Sequence, residues 1–382
     1  MRTSSLGTRA RSVQTGSQGR IGRIRNTHAP SAARPRRPGG GLPARPSLTL
    51  GSRVPVLAIA AHIPSRELGS GYFQETHPEQ LFRRCSHYCE LVSHPEQIPR
   101  VLEIAVQTAV SHRGVSVVVL PGDIALQPAA VSQPHLRFAL PTPSVRPSDD
   151  EIERLAEVLN GARKITILGG AGCAGAHDQL MDVAGKLQAP IVHAIRSKEC
   201  IEYDNPFDVG MTGLLGFASG YYAMMNCETL LMLGTDFPYQ QFYPETATIV
   251  QIDIRGDQSG RRTKVDVGLV GDVQTILAAL SPRLTQKRDD RHLKASLPHY
   301  QTARQWLDDL ASGAPGRKPI HPQYVARVLD EVAAEDAIFS CDVGTPTIWA
   351  ARYLTMNGKR RCWAPSRTGP WPMRCRKPLV RS

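Results

Sequence analysis

The sequence predicts an α/β protein built around a doubly wound parallel sheet. Three observations carry this. Short apolar runs rich in β-branched residues recur through the interior: Val54–Ala61, Val115–Leu120, Lys164–Leu168, Pro190–Ala194, Thr229–Leu233 and Thr248–Ile254. Helical patterns alternate with them, at 95–111, 218–225 and 273–280, and strands alternating with helices make a parallel sheet covered on both faces. Finally, Gly170-x-Gly172-x-x-Gly175 lies between the run ending at Leu168 and the helical pattern of Leu180, Ala184 and Leu187. Glycines at a strand-to-helix turn let backbone approach a phosphate, and the helix N-terminus offers it unpaired N–H donors. Taken alone the motif is weak, because a glycine-rich turn with no ligand looks the same. The NAD fingerprint also needs an acid at the end of the next strand. That strand runs instead into Ile195-Arg196-Ser197, so a nucleotide fits better than ordinary NAD.

Taken in order, residues 1–50 are rich in Arg, Ser, Gly and Pro and have no apolar period, so they are read as a disordered leader. An organelle transit peptide is the functional alternative for an Arg- and Ser-rich, acid-free N-terminus. Val54–Ala61 is a buried strand, and Gly69–His77 a polar, aromatic loop after it. Tyr88–Val92 is a short strand. Pro95–Ser111 is a helix with Ile98, Val101, Leu102, Ala105 and Ala109 on one face and Ser93 as its expected cap. Residues 125–148 carry many prolines and read as a linker. Ser148-x-x-Glu151 opens the next helix as a capping box. After the helix at 273–280, residues 283–318 are charged and helix-prone and read as a second linker. Pro322–Ala333 is a helix, Ala337–Cys341 a strand, and Val343–Tyr353 a loop into a helix.

Composition excludes several classes. No apolar run approaches the length of a membrane span. The net charge of +12 is misleading: residues 1–50 hold ten Arg and no acid, and residues 357–382 hold eight Lys or Arg and no acid. The two ends therefore carry more than the whole excess, and the interior is net −6. A nucleic-acid partner loses its support. The eight cysteines form no paired framework, which fits a reducing cytoplasm. Cys85-x-x-x-Cys89 with His87 has no second ligand pair, so no metal site is expected.

Long segments then resemble one family. V-P-V-L-A-I-A-A-H-I-P-S (54–65), G-S-G-Y-F-Q-E-T-H-P (69–78), G-V-S-V-V-V-L-P-G-D (114–123), Y-D-N-P-F-D-V-G-M-T-G-L-L-G-F (203–217), G-T-D-F-P-Y (234–239) and C-D-V-G-T-P-T-I-W-A-A-R-Y-L (341–354) resemble the thiamine-diphosphate enzymes. They are most similar to the flavin-containing pyruvate oxidases and the ubiquinone-linked pyruvate dehydrogenase. The match runs from about Val54 to Arg361. The resemblance implies three α/β domains. Residues 51–145 would be the C-terminal part of a pyrimidine-binding domain, and 146–286 a Rossmann-like central domain binding FAD. Residues 287–319 would be a linker, 320–361 the start of a pyrophosphate-binding domain, and 362–382 a tail outside the family. For FAD it implies Gly172, Cys173, Ala174 and Gly175; Thr212, Gly213, Leu214 and Leu215; Thr235, Asp236, Phe237, Pro238 and Tyr239; and Asp253, Asp272 and Val273. Thr212 and Thr235 have hydroxyls for phosphate or ribitol, and Asp253 ends a strand where a carboxylate accepts from ribose or adenine. The bland alternative is that Asp253 caps a turn and Thr212 packs. Phe73 and Gln74 match a family loop that reaches the reacting centres.

The implied activity is decarboxylation of pyruvate with thiamine diphosphate and Mg²⁺, electrons passing to FAD and then to a quinone or oxygen, in a tetramer-like homo-oligomer. An acetolactate synthase type is a weaker match to the H-I-P-S and G-S-G-Y-F-Q-E-T segments. Residues 1–50 lack the family's catalytic Glu, and neither the Mg²⁺–diphosphate segment nor the C-terminal membrane anchor follows Cys341. The chain alone is therefore expected to be inactive. An FAD-binding module without catalysis and a non-functional pseudogene product stand as alternatives. Back-translated and shifted by one base, residues 362–377 resemble the family's own continuation, so the tail is read as out of frame.

Overall fold

The computed structural model describes residues 54–129, 144–313, 318–341 and 344–363, with the paired segments Gln14–Thr15 and Gly19–Arg20. The rest of the leader, residues 130–143 of the proline-rich stretch and the tail beyond 363 lie outside the described residues. The chain divides into two compact units that part between Thr142 and Pro143.

The first unit holds β1 (Val56–His62), α1 (Pro78–Arg83), β2 (Tyr88–Leu91), α2 (Gln97–Ser111), β3 (Val115–Pro121) and α3 (Gly122–Ala125). Its three strands are parallel, with β3 between β1 and β2. β3 is central because it is apolar on both faces. Val115, Val117 and Val119 pack with Val56, Ala58 and Cys89, while Val118 packs with Val92, Ala105 and Ile124. The expected Ser93 cap is corrected. The Gln97 carboxamide reaches back and accepts from the Ser93 and His94 amides at 2.9 and 3.3 Å. Helical backbone already begins at Glu96, so Ser93 stands too far upstream to cap.

The second unit opens with α4 (Asp149–Gly161), whose capping box is complete: Ser148 Oγ accepts from Glu151 N, and Glu151 accepts from Ser148 N at 2.9 Å. There follow β4 (Ile165–Gly169), α5 (His177–Leu187), β5 (Ile191–His193), α6 (Lys198–Ile201), β6 (Asp208–Met211), α7 (Ala218–Met225), β7 (Thr229–Leu233), β8 (Thr248–Asp253), β9 (Val267–Val270) and α8 (Val273–Leu280). All six strands are parallel, in the order β6-β5-β4-β7-β8-β9. The order reverses between β4 and β7, the place where doubly wound sheets open a crevice at their strand C-termini. Sequence reading missed the two edge strands, β6 and β9. Each has only four residues and a glycine inside, which removes the apolar signal.

Helices cover both faces. On one, α4, α5 and α8 bury Leu155, Leu180 and Ile276 against Ile167, Leu231 and Val250. On the other, α7 packs on Leu168, Val192 and Leu230, joined by Leu297 and Tyr300. Those two residues belong to α9 (Arg291–Leu310), so part of the stretch read as a linker is a helix of this unit. Its charges obscured an apolar stripe in the sequence. The Tyr300 ring packs edge-on against Phe217 at 5.4 Å, and a Cβ on Gly210 would meet it at 2.7 Å.

The unit ends with α10 (Pro322–Val332), β10 (Ile338–Ser340), α11 (Thr345–Tyr353) and β11 (Arg361–Trp363), the two strands pairing in parallel. Among the described residues no helix is long and apolar enough to cross a membrane.

If α9 covers the sheet, Tyr300→Ala lowers the stability of this unit by about 3 kcal/mol. A solvated linker residue would change it hardly at all. Urea unfolding followed by far-ultraviolet circular dichroism measures the difference.

Candidate functional site

The crevice is formed first by backbone. The loops after β4 and β7 leave adjacent strands and meet immediately. Gly170 N donates to Leu233 O at 2.9 Å, and Gly172 N to Gly234 O at 3.0 Å. A Cβ on Gly172 would stand 2.6 Å from Gly234 Cα, and one on Gly170 would stand 2.5 Å from Thr235 Cα. The space these two glycines leave is therefore filled by protein. Gly175 differs: its φ is +82°, it is exposed, and a Cβ there would meet only Gln274 Oε1, at 4.0 Å. It is the glycine that keeps room open in front of α5.

The helix starts later than the motif suggests. A 3-10 turn at Ala171–Cys173 intervenes, and α5 begins at His177. Its N-cap, Ala176, supplies no side-chain acceptor, so the first-turn amides lack a side-chain partner at the cap. Cys173 does not face the crevice. It is fully buried, its Sγ lies 3.5 Å from Leu233 O, and burial pushes its thiol pKa up. Ala174 is exposed.

The loop after β6 joins the same region. Thr212 N extends the sheet by donating to His193 O at 3.1 Å. Thr212 is 4% exposed, and its Oγ1 is buried without a hydrogen-bond partner. Gly213, at φ +93°, lies so close to Phe237 that a Cβ would meet the ring at 2.9 Å. Leu214 is 63% exposed. The carbonyls of Leu215 and Gly216 accept from the Arg352 guanidinium at 3.2 and 3.1 Å, which fixes the back of the loop.

After β7, Thr235 is buried and Asp236 pairs with Arg262 Nε at 3.0 Å. Phe237 is buried and packs edge-on with Tyr239 at 5.3 Å, and its carbonyl accepts from Tyr243 Oη at 2.7 Å. Pro238 between them is half-buried.

The carboxylates expected to hold ligand each make a bond within the protein. Asp253 Oδ1 accepts from Arg255 N at 3.0 Å, an Asx turn at the end of β8. Asp272 caps α8 by accepting from Thr275 N at 3.1 Å. Val273 is buried in the core. The structure thus brings 170–175, 212–215 and 234–239 together. It gives Asp253, Asp272, Val273 and Cys173 structural work. Sequence reasoning missed Gly234, whose need for glycine shows only against Gly172. It also missed Arg255, whose Nε and Nη2 are buried without hydrogen-bond partners.

Phe73 and Gln74 lie in the first unit. They sit at the tip of a loop that Glu75 ties together: its carboxylate accepts from the Gly69, Gly71 and Tyr72 amides, the last two at 2.7 and 3.2 Å. Those bonds hold the Glu75 pKa below the usual carboxylate range, the Gly69 amide contributing most. Gln74 has a φ of 64°, and Phe73 is 80% exposed. The loop is a shaped turn that displays an aromatic ring to solvent.

Comparison with known proteins agrees with this architecture. Residues 152–280 match the family model of the thiamine pyrophosphate enzyme central domain. The chain is 52% identical over 321 residues to an uncharacterized 42.6 kDa protein encoded 3' of isoamylase in Pseudomonas amyloderamosa, covering 84% of this chain and 76% of that one. It is 34% identical over 307 residues to the putative thiamine pyrophosphate-containing protein YdaP of Bacillus subtilis, covering 80% and 53%. It is 26% identical over 317 residues to pyruvate oxidase of Lactiplantibacillus plantarum, covering 81% and 52%. The chain thus spans about half the length of these last two relatives.

Two outcomes are expected. Gly172→Ala forces the two loops apart and costs about 1–3 kcal/mol, read as a lower urea midpoint. Glu75→Gln weakens the amide clamp, so chymotrypsin cuts after Tyr72 or Phe73 several-fold faster than in the parent. Acid acts in the same direction. Because the folded-state pKa is lowered, the loop stays clamped above the ordinary Glu range and loosens only as pH falls through the depressed value.

Proposed function

We propose, from the premise that this chain belongs to the thiamine pyrophosphate enzyme family through its central domain, that the crevice holds FAD. The chain is then the flavin-holding part of a thiamine-diphosphate- and FAD-dependent pyruvate oxidoreductase. The single observation that carries the flavin reading is Thr212 Oγ1, a buried hydroxyl with no partner in the loop that faces the β4 and β7 loops. Leaving a buried hydroxyl unpaired costs about 1–3 kcal/mol, which a ligand oxygen or nitrogen in the crevice relieves.

The other residues present fit such a ligand. Open space at Gly175 and the uncapped start of α5 suit a phosphate. Leu214 offers exposed apolar surface to a ring. Ordinary NAD fits less well, because β5 runs on through Ala194 into Ile195-Arg196-Ser197 with no acid for a ribose.

When bound, FAD supplies two-electron acceptance, and thiamine diphosphate supplies the decarboxylation of a 2-oxo acid. The residues of this chain would bind and orient it: Thr212 would donate or accept one hydrogen bond, the α5 first-turn amides would hold a phosphate, and the packed Phe237 and Tyr239 rings would form a wall. Among the described residues no group of three or more His, Cys, Asp or Glu side chains is placed to hold a metal ion.

The test is an absorbance spectrum after FAD is added and dialysed away. Retained flavin bands are expected from the parent chain, and Thr212→Val should weaken FAD binding about tenfold, equivalent to ~1.4 kcal/mol. A folded parent chain that keeps no flavin would overturn the reading.

A further inference from the structure

Of the arginines near the C-terminal end of the six-stranded sheet, Arg262 and Arg352 are spent. Arg262 Nε pairs with Asp236 at 3.0 Å, and the Arg352 guanidinium donates to the Leu215 and Gly216 carbonyls. Arg255 differs. It follows the end of β8 by two residues, in the turn that Asp253 closes. Its Nε is 3.4 Å from Asp253 Oδ1, an ion-pair contact, and that oxygen also accepts from the Arg255 amide. Both Nε and Nη2 are buried with no hydrogen-bond acceptor.

The Arg255 side chain is 27% exposed overall, but two of its nitrogens are buried with their donors unmade, which is a costly arrangement. It is relieved when an acceptor of matching shape arrives. The planar fork of Arg pairs with two oxygens at once, and carboxylate and phosphate have that geometry. The protein's own carboxylate here, Asp253, is committed to its turn.

We infer that Arg255 binds a phosphate group of the ligand held in the crevice, and makes the site selective for phosphorylated over unphosphorylated nucleotides. This rests on the nucleotide reading of the crevice. It adds a residue that no motif marked and a selection that Thr212 does not provide. The phosphate can belong to the diphosphate bridge or to a phosphorylated ribose. The chemistry at Arg255 is the same.

The experiment titrates the full chain and its Arg255→Ala and Arg255→Lys variants with FAD, riboflavin, ADP, 2',5'-ADP and adenosine by calorimetry, with thermal melting as a check on folding. Loss of a hydrogen-bonded charge pair should weaken FAD and ADP binding about tenfold to a hundredfold in Arg255→Ala. Riboflavin and adenosine should bind as to the parent. Arg255→Lys, which keeps charge but loses the fork, should recover part of the loss. A larger loss for 2',5'-ADP than for ADP assigns the contact to a ribose phosphate, and the reverse assigns it to the diphosphate. FAD or ADP binding undiminished in Arg255→Ala, or an equal loss for adenosine, overturns the inference and leaves the flavin reading standing. A parent chain that binds ADP but not FAD strikes the flavin reading, and the ADP series then still decides on Arg255. Binding of neither overturns both.

Discussion

The central domain depends on one contact that involves no side chain. The loops after β4 and β7 touch backbone to backbone, Gly172 against Gly234, at the place where the strand order reverses. Any Cβ at that point would drive the strand ends apart. The Thr212–Gly213 loop then closes against Phe237. Three loops from three strands are thereby held in one arrangement, which is the preorganisation that the proposed dinucleotide site would require.

The sheet that presents these loops is stable only if both faces are covered, because parallel strands are apolar on both sides. The helices α4, α5 and α8 cover one face. On the other, α7 has only eight residues, too few to cover strands from β6 to β8. The long helix α9 supplies the remainder through Leu297 and Tyr300. What reads in sequence as the link to a following domain is structurally part of the central domain. Tyr300 also presses on Gly210 in β6, the strand that leads into Thr212. Packing far from the crevice therefore bears on the strand that delivers one of its loops.

Much of this was legible in the sequence, and the limits have physical causes. Central strands such as Thr229–Leu233 stood out because they are continuous apolar runs, and Ser148-x-x-Glu151 because a capping box is a purely local device. The edge strands were not legible, since a strand paired on one side needs less apolar surface and tolerates glycine. α9 was hidden because its exposed face carries the charges. The meaning of single site residues was least legible. Gly170 and Gly172 have the spacing of a phosphate cradle, yet the loop after the neighbouring strand β7, distant in sequence, occupies the space they leave. Asp253 has the position of a ribose acceptor, yet it closes a turn. A residue's chemistry can be read from its type, but which partner consumes it depends on neighbours brought in by long-range pairing.

Around the crevice the carboxylates are taken: Asp236 by Arg262, Asp253 by the turn at Arg255, Asp272 by the start of α8. The unspent groups include the Thr212 hydroxyl, the Arg255 guanidinium nitrogens and the first-turn amides of α5, which have no side-chain cap. All of them can donate. Donors left over in this way would suit the acceptor-rich, anionic ligand proposed above. Phosphate oxygens meet that description and the hydroxyls of an unphosphorylated sugar do not. One acid does stand close by, Asp178 in the first turn of α5. At a helix start it is itself a weak substitute for an anion, so a phosphate entering there competes with a charge the protein already supplies. The exposed Asp178 side chain can return to water at little cost if such an anion enters.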